Sequence, residues 1–431
     1  MAVPFTRRRG CTCWQKKCTC GATKKTNCTC GASKSKINKC TCGAKWEYIL
    51  EAGINPKTGK RWQPSKGGFA TKKEAEDAGI IAQNDILNKT FIIESDISFG
   101  DFVPKWEANY ITVTGVKNST LRARKFTTKR LIKYFGYRPM KDISKKDYQE
   151  MLNDLKNKGY AHETIASTHQ VARLIFNLAI TWEYIKIDPT KGAKIPADKL
   201  TVEQIETQED VPKYLEKEQL AKFLKAAEKF GLEKDFEIFM ALAYLGLRTG
   251  ELCALYEEDL KSDEGLIRIT KTLYNPTENR FKYEITTPKT KKSIRDITIE
   301  DDIKELLNKL IVKNNILKMK HRKTYHKDRG KYFLFVITEE DAPGFPLYHQ
   351  KIQYRMKRLL KIAGLDPSLS PHVLRHTHVS LLAEAGVSLQ DIMDRVGHED
   401  EKTTRRIYLH VTKPKRKEAS HAFGKLMGSL L

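Results

Sequence analysis

The sequence predicts a multidomain α+β protein in three folded parts. These are a small β-hairpin or sheet with one helix, an all-helical part, and a mixed α/β part holding a small antiparallel sheet. Length is the first observation behind this: 431 residues correspond to two to four units at roughly 100–200 residues per domain. Periodicity is the second, changing from alternation near the N-terminus to three- and four-residue spacing in the middle and to a mixture beyond Glu216. The third is punctuation, because Pro189 and the stretch Lys191 to Pro196 interrupt the pattern and mark a linker.

Composition narrows the function classes. An apolar fraction of 40% beside a charged fraction of 30%, with 17 Phe, 17 Tyr and 5 Trp, is globular and excludes a disordered chain. The net charge of +25 attracts polyanions and releases their counterions, so nucleic acid is the expected partner. The longest apolar run, Ile238 to Leu247, is too short for the roughly 18 residues of a membrane span and has the length of a buried helix. Arg7, Arg8 and Arg9 lead directly into cysteines with no signal peptide, so a cytoplasmic protein without membrane partners is expected.

Residues 1–44 read as a basic, cysteine-rich leader. They hold eight of the nine cysteines, paired as Cys11/Cys13, Cys18/Cys20, Cys28/Cys30 and Cys40/Cys42, with Cys-Thr-Cys-Gly-Ala repeated at 18, 28 and 40. Closely spaced thiols in a reducing compartment point to structural zinc rather than disulfides. The Cys-x-Cys spacing is tighter than that of ordinary zinc knuckles, and a basic disordered leader is the alternative. Cys253, on an apolar helix, reads as core.

Residues 45–90 form the next part. Trp46, Tyr48 and Leu50 alternate with polar residues, the run Asn55 to Gly59 makes a turn, and a second strand passes through Trp62. Thr71 with Glu74 three residues on is a capping box opening a helix to about Leu87. Residues 95–195 show only helical periodicity, as at Phe99, Phe102, Trp106 and Tyr110, and predict four or five helices. A linker covers 196–214, and 215–431 is the mixed part. There helices to about Leu260 precede three β-like runs, Leu266 to Leu273, Phe281 to Thr287 and Ile294 to Ile299, expected to form one three-stranded sheet. Helices return after that, broken by a strand-like Tyr332 to Ile337, and end in a tail helix, Lys413 to Leu431.

The residues able to carry chemistry lie in this last part. Arg248 stands between two glycines in Gly246-Leu247-Arg248-Thr249-Gly250-Glu251, where one helix ends and another begins. A guanidinium fixed there offers a bidentate fork to a phosphate, although an arginine at a helix boundary is more commonly a solvated cap. Lys289, in the turn Pro288-Lys289-Thr290 between two β runs, could give a proton to a leaving oxygen, or be one surface lysine among several. His372 and Arg375, three apart in Pro371-His372-Val373-Leu374-Arg375-His376-Thr377-His378, share one helix face. No His-Glu-x-x-His spacing accompanies them, which argues against zinc at this place. Gly397-His398 closes a helix, and Tyr408 follows ten residues later.

In that order, Arg248, Lys289, His372-x-x-Arg375, Gly397-His398 and Tyr408 resemble the catalytic signature of the tyrosine recombinases, the family of lambda-type phage integrases and Xer recombinases. Glu251 falls where that family carries an acidic residue supporting the first arginine. The helical part is similar to the family's core-binding domain. The hairpin with Gly-Gly-Phe-Ala-Thr-Lys-Lys-Glu-Ala-Glu is similar to the arm-binding domain of integrases from phages and conjugative transposons of Gram-positive bacteria.

The resemblance implies a site-specific recombinase that integrates and excises a mobile element by strand cleavage and rejoining through a 3′-phosphotyrosyl intermediate. Tyr408 is then the nucleophile, Arg248, His398 and Arg375 hold the phosphate, Lys289 protonates the leaving oxygen, and His372 assists as base. It further implies double-stranded DNA with core and arm sites, a homo-tetramer on that DNA, and an excisionase or host bending protein as accessory. Catalysis then needs no cofactor, and the enzyme is nucleoid-associated. A type IB topoisomerase shares the chemistry but does not need an arm-binding part. A DNA-binding regulator with a decayed active site is disfavoured because no catalytic position is missing.

Overall fold

The computed structural model describes residues 4–8, 45–54, 59–88, 96–197, 213–288, 291–397 and 401–412. The chain divides into two compact units, Met1–Asp198 and Lys199–Leu431.

The first unit opens with a three-stranded antiparallel sheet in the order β1-β2-β3, made of Phe5–Arg8, Trp46–Ile49 and Ser65–Phe69. Phe5 faces Ile49 and Arg8 faces Trp46 across the first ladder. The first residues of the expected leader therefore belong to the sheet, and the cysteine-rich stretch joins two neighbouring strands instead of preceding the fold. The eight cysteines themselves lie outside the described residues. Trp62 pairs with the turn backbone at Ala52 and Gly53, so the regular third strand begins only at Ser65, later than expected.

Helix α1, Lys72–Leu87, starts where the capping signal placed it, with the Thr71 hydroxyl accepting from the Glu74 N–H at 3.2 Å. Its small inner residues Ala75, Gly79 and Ala82 let it lie close on the sheet beside Tyr48 and Leu50.

Four α-helices follow: α2 (Phe99–Thr114), α3 (Asn118–Phe135), α4 (Lys145–Asn157) and α5 (His162–Thr181). Each presents an apolar stripe to one core that includes Phe99, Phe102, Trp106, Leu131, Tyr148, Leu152 and Phe176. Fully burying a Leu or Phe is worth about 1.5–3 kcal/mol. Packing therefore carries α3 despite its run of exposed basic residues.

The second unit contains α6 (Lys217–Phe230), α7 (Asp235–Leu245) and the short α8 (Thr249–Cys253). Among the described residues there are eight short strands, and five of them fall here. Leu260–Lys261 (β4), Leu266–Ile269 (β5) and Arg295–Thr298 (β8) make one antiparallel sheet, and Thr272–Tyr274 (β6) pairs only with Glu284–Thr286 (β7). The expected single sheet is thus two. Tyr332 to Ile337, buried from Phe333 onward, is an irregular segment held by isolated bridges, Tyr256 to Phe333 and Val336 to Pro346, and not a strand.

Helices α9 (Asp301–Lys320), α10 (His349–Ile362), α11 (His372–Glu384), α12 (Leu389–Val396) and α13 (Glu401–Val411) complete the unit. Cys253 is fully buried in its core. The expected tail helix and the linker 198–212 lie outside the described residues. No helix among the described residues is long and apolar enough to cross a membrane.

Candidate active site

The site is assembled at helix ends. Helix α7 is buried on nearly every side and stops at Gly246, which adopts a left-handed φ of 60°. A Cβ at that glycine would lie 2.5 Å from the His378 ring. The chain can therefore turn out of the core only with glycine here, and the turn delivers Arg248 as the N-cap of α8.

Glu251 receives Arg248 twice. Its Oε1 accepts from Arg248 Nη1 at 2.7 Å and its Oε2 from the Arg248 backbone N–H at 3.1 Å. The carboxylate is almost completely buried while the Arg248 side chain stays about a third exposed, at 2% against 35%. The pair thus fixes the guanidinium from behind and leaves its outer face available. Burial alone would raise the Glu251 carboxyl's pKa. Arg295, Arg375 and Arg248 together outweigh that and hold it below the usual carboxylate range.

Arg375, on the first turn of α11, is wholly buried. Its Nη1 donates to the Gly246 carbonyl at 2.6 Å and its Nη2 to the carbonyl of Val396. The turn before Arg248 and the end of α12 are so fastened to one guanidinium. Burial, then the cation of Arg248, push its pKa down, and Glu251 opposes them; a guanidinium nonetheless stays charged in proteins.

Three histidines share α11 with it. His372 is shifted below its ordinary value by burial, then by Arg375 and Arg248, which favours a neutral imidazole able to accept a proton. Its ring meets that of His376 edge to face, centroids 4.8 Å apart, and burial pushes His376 down to about 4. His378 contacts the Ala243 carbonyl through Nδ1 at 3.0 Å and Arg395 Nε through Nε2 at 3.3 Å. A carbonyl can only accept, so Nδ1 carries the proton and Nε2 accepts from the arginine. Burial pushes this ring down to about 3.

Tyr408 lies on α13, half-buried against a small cluster that includes Val379 and Ala383 of α11, Ile392 and Val396 of α12, and Ile407. Among the described residues its hydroxyl makes no hydrogen bond. The structure thus brings Arg248, Glu251, His372 and Arg375 together and packs the helix of Tyr408 on the helix that carries two of them. Lys289 and His398 lie outside the described residues, although Pro288, Lys291 and Gly397 beside them are described. Sequence reasoning gave Arg295 no part in this site, and it noted His376 and His378 beside His372 and Arg375 without assigning either a role. The only signal was their closeness in the chain to the motifs. Among the described residues no three His, Cys, Asp or Glu side chains converge as a metal site.

Comparison with known proteins gives the architecture a context. Residues 213–415 match the phage integrase family, 36–86 an arm DNA-binding domain, and 98–156 the phage integrase N-terminal SAM-like domain. The probable integrase of prophage ps2 from Lactococcus lactis is 32% identical over 356 residues, covering 79% of this chain and 87% of that protein. The integrase of Staphylococcus phage L54a is 29% identical, with 79% and 96% covered. Among solved structures, the Tn1549 transposon integrase in complex with a circular intermediate DNA superposes with a TM-score of 0.59 at 23% identity. That match covers 74% of this chain and 99% of that one. A lambda integrase dimer bound to a core site gives 0.51 at 17% identity, with 84% and 92% covered; at these identities the likeness concerns the fold. The Lactococcus prophage relative, alike over most of both chains, places this chain in the phage integrase family of tyrosine recombinases, enzymes of site-specific DNA recombination.

Proposed function

We propose that Tyr408 is the nucleophile of this recombinase and that Arg248, His372, Arg375, Lys289 and His398 serve it. The Tyr408 oxygen bonds to phosphorus as the P–O5′ bond breaks, giving a 3′-phosphotyrosyl end that conserves the ester and needs no external energy source. Neutral His372 takes the phenolic proton, Lys289 gives one to the departing 5′-oxygen, and His398 adds a hydrogen bond to the phosphate. Arg248 and Arg375 oppose the charge that builds on the non-bridging oxygens. Glu251 holds Arg248. Catalysis in this family needs no cofactor.

The observation that carries this reading is the convergence of Arg248, His372 and Arg375 around the buried Glu251, from segments far apart in sequence. Tyr408→Phe tests it on a nicked suicide substrate: no covalent protein–DNA adduct is expected, with site binding nearly unchanged. An adduct formed by the variant refutes the assignment.

The substrate we propose is double-stranded DNA carrying core and arm sites, and the acting form a homo-tetramer. An excisionase or host bending protein sets direction, and the protein is nucleoid-associated in the cytoplasm. We assign 45–90 to arm binding, 95–195 to core binding, 196–214 to the linker and 215–431 to catalysis. Cys11, Cys13, Cys18, Cys20, Cys28, Cys30, Cys40 and Cys42 are proposed as structural zinc ligands, since closely spaced thiols outside an oxidising compartment are commonly metal-bound.

A further inference from the structure

Arg295 opens β8 with its side chain only 6% exposed. Its guanidinium donates in three directions. Nε reaches the Arg395 carbonyl at 2.8 Å, Nη1 the Ser293 carbonyl at 3.0 Å, and Nη2 the Glu251 Oε2 at 3.0 Å. The last contact falls on the same carboxylate that grips Arg248 through Oε1. Gly397 makes room for the arrangement: a Cβ there would come within 3.2 Å of Arg295 Cδ and Nη1.

We propose that Arg295 is a positioning residue for Arg248, locking the Glu251 carboxylate between two guanidiniums and anchoring that lock to the start of β8 and the end of α12. The proposal rests on the reading of Arg248 as a phosphate clamp.

Burying a guanidinium is costly, and a well-packed apolar side chain would join these segments at a smaller desolvation penalty. An apolar side chain could not fix the second oxygen of Glu251. Without that partner Oε2 keeps only the 3.1 Å bond from the Arg248 backbone N–H, so the carboxylate gains freedom about its last bond, and the Arg248 guanidinium held by Oε1 gains it too. A lysine could satisfy one acceptor of the three, because an ammonium is a point charge on a flexible stem and not a planar fork.

The test compares cleavage by the full-length protein on two suicide substrates. One carries the natural scissile phosphodiester, and in the other a methylphosphonate replaces one non-bridging oxygen by methyl. Attack on the diester builds charge that the clamp must oppose; the methylphosphonate carries one negative charge fewer, so a defect in the clamp is partly relieved on it. Arg295→Gln is expected to cleave the diester about 10- to 100-fold more slowly than wild type. On the methylphosphonate that deficit should shrink by about tenfold, with Arg295→Lys intermediate on the diester.

An equal deficit on both substrates, or none on the diester, overturns the proposal. If Arg295→Gln lacks a cooperative thermal transition, the same two-substrate comparison on Arg295→Lys decides. Arg248→Ala is run alongside. If its own deficit is not relieved by the methylphosphonate, the reading of Arg248 has failed, whereas relief of Arg248→Ala without relief of the Arg295 variants overturns the inference alone.

Discussion

Arg375 donates to the carbonyl of Gly246, a residue 129 positions earlier in the chain, at 2.6 Å. The second arginine of the site is thereby fastened to the turn that presents the first. Neither can shift without disturbing the other, so the phosphate clamp proposed for the two would be set before any substrate arrives. Preorganisation of this kind is where electrostatic stabilisation of a transition state is most effective.

Gly246→Ala is expected to destabilise the protein by about 1–3 kcal/mol, from a left-handed backbone and an overpacked contact together. Its new Cβ would fall 2.5 Å from the His378 ring, which has little room to retreat because both ring nitrogens are engaged. Urea denaturation measures the loss, and a midpoint equal to that of wild type contradicts this account of the turn.

Glu251→Gln leaves the buried Arg295 guanidinium and the partly exposed one of Arg248 facing a neutral amide and is expected to cost about 3 kcal/mol or more. The pH dependence has a definite sign. The carboxyl's pKa is lowered by folding from 4.5, so its contribution is complete above the unfolded value and is lost as pH falls through the folded one. Stability curves between pH 7 and pH 3 should therefore diverge most at the upper end and converge toward the acid end. Parallel curves rule the linkage out.

His378 gives a second acid-sensitive component in a higher window. Its folded pKa, about 3, lies below its ordinary 6.5, so the unfolded chain binds the proton more readily. Stability from this group is intact above about pH 6.5 and declines as pH falls toward 3. Replacing His378 by Gln should remove that slope while lowering stability at pH 7, because the Ala243 carbonyl and Arg395 lose a well-placed partner. An unchanged slope between pH 6.5 and pH 4.5 would falsify the assignment of the neutral ring.

For the eight clustered cysteines, elemental analysis of the purified protein should find at least one zinc per chain. Chelation should weaken binding to arm-type DNA while leaving cleavage at core-type DNA nearly intact, since the proposed ligands are remote in sequence from the catalytic part. Zinc below stoichiometric level ends the idea.

Much of this was legible in the sequence. The Thr71 cap and the four helices of the core-binding part follow from local patterns, and local patterns are what a linear reading can see. The sheets were less legible, because alternation identifies a strand and not its partner. Leu266 to Ile269 found β8, whereas Thr272 to Tyr274 paired with the nearer Glu284 to Thr286. Tyr332 to Ile337 is apolar and, from Phe333 onward, buried whether extended or irregular, so its composition could not decide. Phe5 to Arg8 escaped notice because its pairing partner lies beyond the whole cysteine-bearing stretch. Arg295 reads in one dimension as a surface cation beside a strand, and only folding brings Glu251, Ser293 and Arg395 around it.

The pairing of Arg8 with Trp46 holds both ends of the cysteine-bearing stretch about 5 Å apart, the spacing of facing residues in an antiparallel ladder. Most of the entropy needed to close that stretch into a ring is thus supplied by the sheet, and extra length in a closed ring is cheap. The stretch has the character of a removable cassette. A chain in which a tight turn of about two residues links Arg8 to Trp46 should keep its strand register and its catalytic unit, and shed only what the cassette itself recognises.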